Sequence, residues 1–416
     1  MPVSNKVHVQ KDEVNAQRVM DRIEQLATFS SMEGMVTRAY LTDEHKAAHH
    51  QLGAWMEEAG LQTWQDEVGN QWGRLLSSNP TEGTVIIGSH SDTVVNAGKY
   101  DGTLGVIMAI EALSNLKLNN IELPFHVDVV AFADEEGTRF NTTLLGSCGV
   151  AGTWNPDWLD IKDASGISIG QAMKAFGLDI NAIPEASRAG DKTKAYLEVH
   201  IEQGPVLESC GLPVGVVTGI AGAKRFIVDV SGMAGHAGTV PLELRNDALC
   251  AAAEMITTIE AYAKAQGIVA TVGKCDIKGG AVNVIPGKVQ FSIDIRSQNQ
   301  ELLENSCTQL LMRLQSIAQK RQVTAEAEKI YEASAVTCDS KLQSLWSSVT
   351  EDVTRKPVHL LPSGAGHDAM MMATIAPMSM LFLRCEKGIS HNPLEDVLTE
   401  DVAVGLTCLE KMITAL

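Results

Sequence analysis

The chain has 416 residues, more than the ~250 to 300 at which a single hydrophobic core stops growing, so two domains are expected. With 45% hydrophobic residues, 20% charged residues and 35 glycines, it reads as a globular, glycine-punctuated α/β protein, which excludes the disordered and fibrous classes. Its net charge of -18, from 33 Lys+Arg against 51 Asp+Glu with no basic stripe, argues against a nucleic-acid partner and means that an anionic substrate needs a local cation to hold it.

The first residues, MPVSNKVHVQKDEV, hold no apolar stretch of the kind a secretory leader carries, and no run of about 18 apolar residues follows anywhere. The expectation is a cytoplasmic protein that spans no membrane. Eight cysteines (148, 210, 250, 275, 307, 338, 385, 408) are scattered without a CxxC pair, several inside apolar runs, as in a reducing compartment. Apolar positions recur at helical spacing over 13–28 and 43–59, the second stretch opened by Thr42 and closed by Gly60. TVIIGSH (84–90) and HVDVVAFAD (126–134) are β-branched apolar runs bracketing a helical segment at 104–117. That βαβ pattern predicts a parallel sheet with functional groups at the C-terminal ends of its strands. YLEVHIEQG (196–204) reads as another such strand. After Gly211 the texture changes to alternating strands at 215–232, 268–275 and 282–297, with helices near 245–265 and 300–320 and a last strand near 323–331. From about 330 the first texture returns. The reading is a largely parallel, mixed α/β catalytic domain formed by 1–210 and 330–416, with an α+β domain, 211–329, inserted into it.

Chemistry concentrates at four places. In GSHSDTVVNAGKYDGTLG (88–105), alternation puts His90 and Asp92 on one side of a strand end, and Asp101 follows in a glycine-rich turn. An imidazole ligand whose second nitrogen is held by a carboxylate fits this spacing, with Asp101 free to bridge two ions; a strand-end histidine beside solvated acids fits it too. In FADEEGTRF (132–140) an apolar strand ends in Asp134, Glu135 and Glu136. Adjacent side chains diverge in extended chain, so Glu136 can face a metal while Glu135 faces substrate as general base; the alternative is a solvated acidic turn. His200 lies in the strand EVHIEQG, and His391 in the loop GISHNPLE before a proline. Each cluster alone is weak. Together His90, Asp101, Glu136, His200 and His391 are five donors of the kind zinc or manganese takes, all placed at strand ends or adjacent loops.

HSD, DG, EEG, HIEQGPVLE, GHAGTVP, NVIPG, SGAGHDA and GISHNP run in that order along nearly the whole chain. By these motifs the sequence resembles the M20 metallopeptidase clan, and within it the hydantoinase/carbamoylase branch of allantoate amidohydrolases, N-carbamoyl-L-amino acid hydrolases and β-ureidopropionases. Peptidases of the clan usually place a carboxylate where this chain has His200, which favours the ureido-hydrolysing branch. The resemblance implies a zinc-exopeptidase-like catalytic domain, an inserted lid and dimerisation domain, and a homodimer. It implies two divalent metal ions, zinc first and manganese second, on His90, Asp101 (bridging), Glu136, His200 and His391, with Glu135 as catalytic base and Asp92 orienting His90. Gln203, His236, Asn283, Arg296 and His367 match the family's substrate-binding positions. Arg296 suits a bidentate grip on a carboxylate, its alternative being an ion pair on the strand surface. The implied activity is hydrolysis of the ureido C–N bond of allantoate to ammonia and carbon dioxide. FADEEGTRFNTTLLGS, GHAGTVPLELRND and PSGAGHDAMMMA are most similar to plant-type allantoate amidohydrolases. N-carbamoyl-L-amino acids, ureidoglycolate and β-ureidopropionate remain alternative substrates, and a dipeptidase or an inactive relative the lesser readings.

Overall fold

The computed structural model describes residues 3–416, with side chains from residue 13 onward; the start of the segment inspected for a leader lies outside that range. Two compact units emerge, one formed by the chain up to Thr218 together with Cys338–Leu416, the other by Gly219–Thr337.

In the first unit, three strands predicted from their apolar runs become neighbours in one mixed sheet. Thr84–His90 lies between His126–Phe132 and Thr193–Ile201 and is parallel to both, and Met378–Leu383 is parallel to Thr193–Ile201 on its far side. Gln62–Gln65 and Gln71–Leu75 extend one edge antiparallel, and Val214–Ile220 extends the other. Every residue of Thr84–His90 is buried, as expected where helices cover both faces of a parallel sheet.

The helix Thr103–Leu118 connects two of these strands and is buried on nearly every side. It lies beneath the helices Val3–Ala27 and Thr399–Ala415, so no polar stripe is needed. A Cβ at Gly105 would collide with the carbonyl oxygen of Val199; the absence of a side chain there lets this helix close onto the His200 strand. The second early helix is Asp43–Glu58, with the Thr42 side chain accepting the His45 N–H and Gly60 at φ +79° just beyond its end.

The second unit is an antiparallel sheet in the order Cys275–Lys278, Lys288–Ser297, Gly222–Ser231, Thr324–Ala333, with Val269–Thr271 also pairing Lys288–Ser297. Burial alternates along Lys288–Ser297. Phe226, Val228, Phe291 and Ile293 pack with Ala251, Met255, Ile259, Leu310 and Leu314 of the helices Ala248–Gln266 and Gln300–Lys320. Three of the strand runs read from the sequence are interrupted: 215–232 divides into Val214–Ile220, which joins the first sheet, and Gly222–Ser231, 268–275 into Val269–Thr271 and the start of Cys275–Lys278, and 282–297 into Val284–Ile285 and Lys288–Ser297. Pro286, without an N–H, lies at the last of these breaks.

All eight cysteines are free, five of them buried. Among the described residues, no helix is long and apolar enough to cross a membrane.

Candidate metal centre

Parallel strands end on the same side of a sheet, and this brings the candidate residues together. His90 is the last residue of its strand, Glu135 and Glu136 follow Phe132 within four residues, and His200 is one residue from the end of Thr193–Ile201. Asp101 lies in the turn before the helix Thr103–Leu118, and His391 in the loop after Met378–Leu383. Two left-handed residues shape this rim: Gln203 at φ +56°, which turns the chain after Ile201, and His391 at φ +53°.

The Asp101 carboxylate is the centre. Its Oδ1 is 3.1 Å from Nε2 of His200 and 3.6 Å from Nε2 of His90, and its Oδ2 is 3.1 Å from Nε2 of His391. His391 Nε2 is in turn 3.5 Å from Glu136 Oε1. The donors form two sets that share Asp101, namely His90, Asp101 and His200, and Asp101, Glu136 and His391. Glu135 lies beside both, with its carboxylate oxygen within 4.8 Å of donor atoms of His90 and Glu136.

The protonation pattern shows that these residues fit cations. Nδ1 of His90 is 3.0 Å from the Asp92 carbonyl oxygen, and Nδ1 of His200 is 2.9 Å from the Ile201 carbonyl oxygen. Each Nδ1 therefore donates its proton to a carbonyl, so that in the neutral ring Nε2 is the lone pair. Those two Nε2 atoms lie 3.5 Å apart and face Asp101 Oδ1, which is buried and receives no hydrogen bond. Three acceptors aimed at one point need a proton or a metal between them, and the mixed imidazole and carboxylate donors suit divalent zinc or manganese.

The charged groups of this centre act strongly on one another. Burial opposes charge on His90, but Asp101 and Asp92 push its pKa well above the usual value. Burial alone would raise Asp101, yet His200, His391 and His90 hold it well below the usual carboxylate range. Burial pushes Glu135 well above its usual range, with His90 opposing and Glu136, Asp368 and Asp92 adding to the rise. Glu136 is pushed up to about 7, again chiefly by burial. A bound dication would oppose the rises at His90, Glu135 and Glu136 and reinforce the low pKa of Asp101, since it favours neutral imidazole and ionised carboxylate.

Asp92 is closer to the acidic loop than to the imidazole it was expected to orient. Its carboxylate accepts the backbone N–H of Glu135 at 2.9 Å and of Glu136 at 3.2 Å, and lies 3.6 Å from His90 Nδ1. Gln203 Nε2 donates to Asp101 Oδ2 at 3.0 Å and lies 3.4 Å from His391 Nε2. His367 is 1% exposed. Its Nε2 is 2.7 Å from Ser363 Oγ, and its ring meets His200 edge-on at 4.6 Å between centroids, contacts that orient the His200 ring.

His236, Asn283 and Arg296 belong to the second unit. His236 pairs with Val284 across a short ladder, and the Ala237 N–H donates to the Asn283 carbonyl. The Arg296 guanidinium makes two 2.9 Å hydrogen bonds to Asp294, the strand-surface pair weighed for it from sequence.

Some supporting residues escaped the sequence reading. Glu198, fully buried, receives Ser89 Oγ, Tyr196 OH and the Ala369 N–H at 2.9 to 3.1 Å. With His200 and His367 it makes a further cluster of donor atoms. The bonds already made by Glu198, by His367 Nε2 and by His200 Nδ1 mark that cluster as a hydrogen-bonded support. Tyr196, Glu198 and His200 alternate along one strand, so a period of two was the available signal. Arg38 is also buried and donates to the carbonyls of Ser91, Leu26 and Phe29; nothing in its local sequence marks it.

Residues 86–415 match the model of peptidase family M20/M25/M40. The chain is 39% identical to an N-carbamoyl-L-amino acid amidohydrolase of Geobacillus stearothermophilus, over 95% of this chain and 97% of that protein. It is 40% identical to allantoate deiminase of Arabidopsis thaliana, over 94% and 80%. A crystal structure of a hydantoinase/carbamoylase family amidase from Burkholderia multivorans superposes with a TM-score of 0.90 at 30% identity, covering 96% of this chain and 97% of that one. The chain belongs to peptidase family M20/M25/M40, in its hydantoinase/carbamoylase branch.

Proposed function

We propose that the protein is an amidohydrolase that cleaves the ureido C–N bond of allantoate, releasing ammonia and carbon dioxide, with two divalent cations, zinc before manganese. The observation that supports this most is the Asp101 carboxylate, whose two oxygens face two separate sets of imidazole and carboxylate donors with Glu135 alongside. His90, Asp101 and His200 would hold one ion, and Asp101, Glu136 and His391 the other. When bound, such ions would polarise a carbonyl and lower the pKa of water toward neutrality.

Glu135 is the base in this reading. Burial raises its pKa, which suits a carboxylate that takes a proton from the attacking water and returns it to the departing nitrogen. Asp92 fixes the backbone beneath that carboxylate. Gln203 orients Asp101 and borders the substrate, and His236, Asn283 and Arg296 are the candidates for the oxyanion and the substrate carboxylate, with Arg296 exchanging part of its bond to Asp294 for the ligand. His367 enters through His200. A homodimer belongs to the same proposal.

The second reading is an N-carbamoyl-L-amino acid hydrolase, supported by the 39% identity to the Geobacillus enzyme. Ammonia release by purified protein, tested on allantoate, ureidoglycolate, N-carbamoyl-L-methionine, N-carbamoyl-β-alanine and dipeptides, separates the readings. Allantoate is expected to give the highest kcat/KM and dipeptides none. Turnover confined to carbamoyl amino acids would replace the first reading with the second.

A further inference from the structure

Glu395 lies four residues after His391, is 4% exposed, and is none of the metal donors. Its Oε1 accepts the backbone N–H of Tyr100 at 2.8 Å and of Asp101 at 3.1 Å, and its Oε2 accepts the Ser390 hydroxyl at 2.9 Å. Ser390 Oγ lies 3.3 Å from Asp101 Oδ2 and receives Gln203 Nε2 at 3.2 Å. The neighbouring Asp396 accepts the Tyr100 hydroxyl at 2.9 Å. One buried carboxylate thus bolts the turn that carries Asp101 to the loop that carries His391, across 295 residues of sequence. A Cβ at Gly98 would collide with the Glu395 carboxyl group, so the turn is glycine where this side chain presses on it.

A buried carboxylate is costly unless its oxygens are fully bonded, and here every bond goes to one of these two loops. The two donor sets differ in how firmly they are held. His90 and His200 are carried on hydrogen-bonded strands. His391 sits in an irregular loop with its backbone in the left-handed region, is half-exposed, and needs its surroundings to fix it.

We infer that Glu395 is a positioning residue for the second cation, holding Asp101 Oδ2 and His391 in the one geometry that completes the Asp101, Glu136 and His391 set. This rests on the two-cation reading above. Its loss should weaken the second ion while leaving the first on His90, Asp101 and His200.

The test is titration of metal-free, full-length protein with zinc alone, followed by calorimetry and elemental analysis. The wild type is expected to show two sites. Glu395→Ala is expected to keep one at wild-type affinity and to weaken the other about 10- to 100-fold, the usual effect of removing a partner that orients a ligand. Activity lost at limiting zinc should return at high zinc. Glu395→Gln is the rescuing variant, because its oxygen still accepts both N–H groups and its amide donates to Ser390 Oγ. It should bind both ions nearly as the wild type does.

Ser390→Ala, which removes one limb of the bracket, should weaken the same ion by a smaller factor and serves where Glu395→Ala does not fold. Two zinc ions at wild-type affinity in Glu395→Ala or Ser390→Ala would overturn the assignment. So would Glu395→Gln as weak as Glu395→Ala, which would make charge the cause. Wild-type protein that binds two zinc ions yet hydrolyses no ureide would overturn the catalytic reading alone, and fewer than two ions in the wild type would overturn both.

Discussion

The carboxylate of Asp92 accepts the backbone N–H of Glu135 at 2.9 Å, two residues after His90 on one strand and three beyond Phe132 on its neighbour. One side chain thereby fixes the acidic loop relative to the imidazole beside it. Asp92→Asn replaces one accepting oxygen with an amide that must face an N–H, so the loop shifts. We expect a stability loss of about 1 to 3 kcal/mol and a fall in kcat of roughly 100-fold, the cost of a small misplacement of catalytic groups, with KM changed far less. Steady-state ammonia release and urea denaturation measure both; an unchanged kcat would remove Asp92 from this role.

Glu135→Gln keeps the shape of the side chain and removes its ability to take a proton. Activity should fall by about 100- to 10,000-fold, the range for loss of a general base, while elemental analysis still finds the wild-type metal content. Retained activity would mean that another group moves the proton.

Arg38 is 1% exposed, with three backbone carbonyls, those of Ser91, Leu26 and Phe29, accepting at 2.8 to 3.1 Å. Burial lowers its pKa to about 10, which leaves it charged at neutral pH beside Asp92. Arg38→Met should cost about 3 to 5 kcal/mol, because it strands those carbonyls and leaves Asp92 without its nearby cation. A loss under about 1 kcal/mol by denaturant unfolding would show that water replaces the guanidinium.

Asp66 tests the pH dependence of stability. It accepts the Asn70 side-chain amide, the N–H groups of Val68 and Asn70, and the Trp72 indole N–H, yet burial outweighs these donors and raises its pKa from 3.8 to about 6. Between those values the folded chain holds a proton that the unfolded chain has released. Its contribution is therefore complete below pH ~4 and is lost as the pH rises through ~6, a change of about 3 kcal/mol. Unfolding free energies of the wild type minus those of Asp66→Asn, measured from pH 4 to 7, should fall by that amount and then level off. A flat difference would contradict the raised pKa.

The sequence made the sheet and half of the centre legible for a simple reason. His90, Glu135, Glu136 and His200 are polar residues at the ends of apolar β-branched runs, and parallel strands must bring such ends together. His391 carries no periodic signal: it sits half-exposed in a loop and was identified through the order of motifs. Glu198 left only the period of two along its strand as a signal, and Arg38 and Glu395 left none, since each is a buried charge with a partner far along the chain, 109, 53 and 295 residues away respectively. The strand containing His200 was expected to run to residue 204, but it ends at Ile201, where Gln203 turns left-handed to place its amide on Asp101. That departure from regular structure is imposed by the site rather than by local propensity.

The central claim is that Asp101 joins two cation sites, and metal content per chain tests it most directly. Wild-type protein and Asp101→Ala, matched in circular dichroism and dialysed together against low zinc, should hold about two ions and none above background, respectively. Equal metal content in the two proteins would contradict the account.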